Sequence, residues 1–76
     1  MDSLIKEAYI RIHGTPPPQN LSDEETIKGF IEVIADPNYI DQEFAKEVVE
    51  HIAHHMEIDK DLLKDVSYFA GNLLVS

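Results

Sequence analysis

The chain has 76 residues, no cysteine, and fifteen acidic against six basic residues, for a formal net charge of −9. Its length limits it to one domain with a small core, and the missing cysteine excludes a disulfide framework, a thiolate metal site and a cysteine nucleophile. The charge argues against direct nucleic-acid binding and against docking on anionic lipid, both of which need Lys and Arg to displace counterions. No segment approaches the roughly 20 apolar residues that span a bilayer. The N-terminal stretch lacks the basic start and continuous apolar run of a signal peptide. A cytoplasmic protein is the expectation.

Leu4, Ile5, Ala8, Tyr9 and Ile12 share one face of a helix predicted over residues 2–13, with Gly14 as its stop. Ile10 falls on the opposite face. The run Tyr9-Ile10-Arg11-Ile12-His13 also alternates as a strand would, but no other segment could pair with it, so a strand here would have to pair across chains. Residues 15–20, with three consecutive prolines, read as an extended linker. That spacer leaves 1–14 the least constrained part of the chain and places the core bundle in 21–76.

A second helix is predicted over 23–35. Ser22-Asp23-Glu24-Glu25 has the form of a capping box, Ile27, Phe30, Ile31 and Ile34 make an apolar stripe, and Asp36-Pro37 ends it. The third helix, over 42–56, takes Asp41 as its N-cap and carries the broadest apolar face, from Phe44 through Val48, Val49 and Ile52 to Met56. The fourth, over 60–74, is capped by Asp59, with Ile58 and Leu63 at the spacing of a hydrophobic staple. The fold class is therefore all-α, a small bundle of three to four short helices. Short loops make the last three near neighbours in an up-down order.

Chemistry is scarce. His51 and His55 stand four residues apart, with Glu47 one turn earlier, so a helix places all three on one side. Such a pair can grip a transition metal. The HExxH signature needs Glu after the first His, where this chain has Ile52, and the inverted form needs Glu where His54 stands. Boundary and surface histidines are thus the expectation, and a metal on His51, His55 and Glu47 is an alternative. Charging all four histidines would move the net charge from −9 to −5, which would weaken attraction to a basic partner at acid pH. No serine sits on a glycine-flanked elbow, and Gly14, Gly29 and Gly71 are isolated, so neither a nucleophile elbow nor a phosphate loop is present. No cofactor and no catalytic residue are expected. The chain does not read as an enzyme.

The triplet Asp2-Ser3-Leu4 resembles the phosphopantetheine attachment motif of acyl carrier proteins, which are also small, acidic and four-helical. In that family a whole helix precedes the triplet, whereas here it opens the chain. In size, charge and helix content the chain is similar to small acidic bacterial immunity proteins that neutralise toxic nucleases.

Three features depart from a plain bundle. Ile10 is apolar on an outer face. Gly29 lies on the outer face of the second helix, where glycine costs about 1 kcal/mol relative to Ala and admits a close backbone approach. The stretch from Val66 to Ser76 carries no charge and ends Leu73-Leu74-Val75. Together with the acidity they predict a non-catalytic protein-binding module, an adaptor or inhibitor that engages a basic protein surface. Asp23, Glu24, Glu25, Glu32, Asp36, Glu43, Glu47, Glu50, Ile10 and Gly29 are the candidate contacts. Mimicry of nucleic-acid charge by a phage or bacterial protein is one form of this reading. Self-assembly, as a homodimer through Ile10 and the C-terminal helix, is the alternative.

Overall fold

The computed structural model describes residues 2–74, without the side chain of Leu74. Five helices follow one another: α1 (Ser3–His13), α2 (Asp23–Lys28), α3 (Ile31–Ile34), α4 (Gln42–His55) and α5 (Lys60–Leu74). No strand occurs among the described residues, so the stretch Tyr9–His13 is helical.

Local signals set most of the boundaries. Asp2 is the N-cap of α1 rather than its first residue, its carboxylate accepting from the amides of Leu4 at 2.9 Å and Ile5 at 3.3 Å. Gly14 closes α1 in the left-handed conformation, φ 78°, and its amide donates to the Ile10 carbonyl. Both halves of the capping box at Ser22 are formed. Asp41 caps α4 by accepting from the Phe44 amide at 3.0 Å, and Asp59 caps α5 by accepting from the Asp61 amide at 3.1 Å. The stop at Asp36-Pro37 is an Asx turn, in which the Asn38 amide donates to the Asp36 carboxylate at 2.8 Å.

The segment predicted as one helix over 23–35 is two. At the break the Gly29 amide is shared between the Glu25 and Thr26 carbonyls, and the Phe30 amide reaches back only three residues, to Ile27. That tightening, followed by Phe30 at φ −133°, turns the chain before α3 begins. The Gly29 carbonyl, lost to the helical ladder, accepts instead from His13 Nε2 at 2.9 Å. Apolar periodicity alone could not locate this break, because Ile27, Phe30, Ile31 and Ile34 are all buried on either side of it.

The core is one cluster. Ile5 and Ala8 of α1 lie in it with Ile27, Phe30 and Ile34, the Phe44-to-Ile52 face of α4, and Leu62, Val66 and Leu73 of α5. Helix α1 is therefore seated on the bundle despite its proline spacer. Thr26 is the buried polar side chain, and its hydroxyl donates to the Ser22 carbonyl at 2.8 Å. No described buried side-chain nitrogen or oxygen lacks a partner. No helix among the described residues is long and apolar enough to cross a membrane.

Candidate functional site

Helices α1 and α4 lie antiparallel, because the start of α1 meets the second half of α4 and the end of α1 meets its start. His51 Nε2 donates to the Asp2 carboxylate at 2.8 Å. At the other end Arg11 donates to the Asp41 carboxylate at 3.2 Å, and its guanidinium lies 3.7 Å from the centre of the Phe44 ring. Glu7, one turn earlier, stands 3.6 Å from the same guanidinium. Arg11 is thus a clamp between two helices, built from a cation, a capping carboxylate and an aromatic face.

A surface groove of about 610 Å³ opens beside this pair, lined by Leu4 of α1 and by Glu43, Lys46, Glu47, Glu50, His51 and His55 of α4. The three glutamates fall at i, i+4 and i+7, on one side of the helix, and all are exposed. None makes a hydrogen bond or ion pair with a described residue, although Lys46 stands among them. Like charges at helical spacing repel by a few tenths of a kcal/mol per pair. With three carboxylates against the one ammonium of Lys46, the groove keeps a net negative strip in contact with solvent.

The histidines are divided between tasks. His51 is half-buried and turned to Asp2. His55 stacks beside it, ring centres 5.8 Å apart, and His54 is exposed. His13 packs against Tyr9, ring centres 4.2 Å apart, while donating to Gly29. Among the described residues no group of three or more His, Asp and Glu side chains is placed to hold a metal ion, and this includes Glu47, His51 and His55. Partial burial pushes the Asp2 carboxyl up. The His51 hydrogen bond, the amides of Ile5 and Leu4, and the attraction of the His51 charge outweigh it, so Asp2 titrates below its ordinary 3.8.

The other candidate contacts fall elsewhere. Asp23, Glu24 and Glu25 occupy the first turn of α2, where Glu25 completes the capping box and Glu24 accepts from the Asp59 amide at 2.7 Å. Glu24 thereby ties α2 to the start of α5, an internal role that its place in a charge run did not reveal. Glu32 and Asp36 line a second groove, against Phe69 and Asn72 of α5. Ile10 is 37 % exposed on the outside of α1. Gly29 is exposed just past α2, where a Cβ would lie 3.2 Å from the Thr26 carbonyl oxygen and 3.5 Å from Tyr9 Cε2. Ser3 is the exposed first residue of α1. Of the charge-free C-terminus, Tyr68 is 68 % exposed and Leu73 is buried, while Val75 and Ser76 lie outside the described residues.

Sequence reasoning missed Ile40, which is 95 % exposed in the turn between α3 and α4, and the half-exposed Val33. It also missed the groove between α3 and α5, whose walls come from segments far apart in the chain. Comparison with family models, curated proteins and solved structures finds no match to this chain.

Proposed function

We propose that this chain is a non-catalytic protein-binding module that presents an acidic helical surface to a basic partner, as an adaptor or an inhibitor. The observation that carries the reading is the strip Glu43, Glu47 and Glu50. These three carboxylates share one groove, have no cationic partner within the described residues, and repel one another along α4. A basic protein surface would relieve that repulsion and, at a net charge of −9, would be drawn in by long-range attraction. Mimicry of nucleic-acid charge is the form this takes if the partner is itself a nucleic-acid-binding protein. The contribution of Glu32 and Asp36 would extend the same field over a second face.

The test is affinity capture from a lysate of the native host, with wild-type bait beside a Glu43→Gln/Glu47→Gln/Glu50→Gln bait. The substitutions are isosteric and exposed, so the fold should be unchanged by circular dichroism. A basic protein held by the wild type and absent from the triple variant supports the reading. A partner held equally by both baits contradicts it.

Self-assembly is the second reading, favoured by the exposed apolar side chains Ile10 and Tyr68. Two copies would have to overcome the repulsion of nine formal negative charges on each. Static light scattering separates the readings, since a strict monomer across a wide concentration range eliminates a homodimer.

A further inference from the structure

We infer that the groove between α3 and α5 is a docking site for one basic, amphipathic helix of another protein. This goes beyond the acidic strip on α4, with which the groove shares no lining residue.

Two concavities of about 440 and 490 Å³ adjoin along this face. Glu32 and Phe69 line both, so the two concavities meet at that pair of side chains. The first is lined by Lys28 and Ile31 together with Leu62 and Asp65, the second by Ala35 and Asp36 together with Asn72. Both walls therefore ascend in the same direction. From Leu62 to Asn72 the α5 wall rises about 15 Å, nearly three helical turns. Anchors at i, i+3 or i+4, and i+7 of a docked helix span about 10.5 Å, which fits within this length.

The floor is apolar and the rim is charged. Ile31, Ala35 and Leu62 are buried at the base, and half-buried Phe69 stands at the junction of the two halves. Tyr68 leans out at 68 % exposure, meeting the Phe69 ring edge-on at 5.8 Å. An exposed tyrosine beside a sheltered apolar trough is the composition of an interface edge. Glu32, Asp36 and Asp65 supply three carboxylates on the rim, against the single ammonium of Lys28. Beside the Asn72 amide and the Tyr68 hydroxyl, the other lining side chains, Ile31, Ala35, Pro37, Leu62 and Phe69, are hydrocarbon.

That charge balance selects the occupant. A helix with leucine-like anchors on one face and Lys or Arg beside them satisfies floor and rim together. A second copy of this chain does not, because it would bring its own net charge of −9 to a negative rim.

The probe is a short, acetylated and amidated peptide with leucines at i, i+3, i+4 and i+7 and lysines elsewhere. Its control is an isomer of equal composition whose leucines are spread around the helix. Titration into the labelled full chain is followed by amide NMR. The amphipathic peptide should bind at least about tenfold more tightly than its isomer, since only it can bury its anchors. Its shifts should centre on Ile31, Glu32, Ala35, Phe69 and Asn72. Glu32→Lys with Asp65→Lys, both exposed and without a hydrogen-bond or ion-pair partner among the described residues, should weaken it roughly tenfold. Tyr68→Ala should weaken it as well, with the free protein's spectrum preserved. Equal binding of both peptides, with shifts on Glu43, Glu47 and Glu50, overturns the groove while leaving the acidic strip on α4 as the binding surface. Binding of neither peptide overturns it too. Groove shifts that grow with protein concentration in the absence of peptide would make a second copy the occupant, and would also overturn it.

Discussion

Replacing Asp2 by alanine removes two things at once: the cap of α1 and the link from α1 to α4. The cap satisfies the amides of Leu4 and Ile5, and its loss costs about 1 kcal/mol. The pair with His51 is 2.8 Å long and each side chain is 27 % exposed, so solvent screening holds its contribution to roughly 0.5–1 kcal/mol. Asp2→Ala should therefore destabilise the chain by about 1.5–2 kcal/mol, a lowering of the melting temperature by roughly 6–16 °C in a domain of this size. Asp2→Ser keeps a capping oxygen and gives up only the pair, so its cost should be about half as large. His51→Ala, combined with Asp2→Ala, should fall short of additivity by the coupling of the pair, about 0.5–1 kcal/mol. Urea unfolding followed by far-ultraviolet circular dichroism measures the wild type and the four variants, and the slope should be unchanged while the midpoint moves. A serine variant as unstable as the alanine variant would refute the capping role. Strict additivity of Asp2→Ala and His51→Ala would refute the link between the helices.

Three further outcomes follow from the same contacts. Because the folded-state pKa of Asp2 lies below 3.8, its stabilising contribution is complete above the unfolded value and is lost as pH falls through the folded one. Asp2→Ala should thus lose less stability than the wild type on acidification from about pH 5 to pH 2, and parallel curves would disprove the shift. Arg11→Ala forfeits the Asp41 bond and the Phe44 stacking, for about 1–1.5 kcal/mol; Arg11→Lys should recover little of it, as calorimetry of the three proteins would show. Gly14→Ala forces a side chain into φ 78° and should cost about 1 kcal/mol by urea unfolding, with Gly14→Asn costing less.

Features governed by neighbours in sequence are legible in the sequence itself. The box at Ser22, the caps at Asp41 and Asp59, and the glycine stop at Gly14 each depend on residues within one turn, and each stands where the spacing puts it. The apolar stripes named the core of α4 for the same reason. The break at Gly29-Phe30 was hidden because apolar stripes continue through it, and because the group that takes up the freed Gly29 carbonyl, His13, stands in α1. Asp2 shows the same limit: its place before a helix foretells a cap, but its bond to His51, 49 residues away, arises only when α1 packs on α4. For the candidate surface, the spacing of Glu43, Glu47 and Glu50 was readable on a helical wheel. The diversion of Glu24 to the Asp59 amide was not, nor was the trough between α3 and α5, since both arise only when distant helices pack.

If the acidic strip of α4 binds a basic protein, as proposed, the affinity for the captured partner depends on salt. Calorimetry measures it for the wild type and for Glu43→Gln/Glu47→Gln/Glu50→Gln. Exposed charges are screened over about 10 Å at 0.1 M salt and about 3 Å at 1 M. The wild-type affinity should fall steeply across that range, and the triple variant should bind weakly with a shallower slope. A wild-type affinity indifferent to salt, matched by the variant, would contradict the claim.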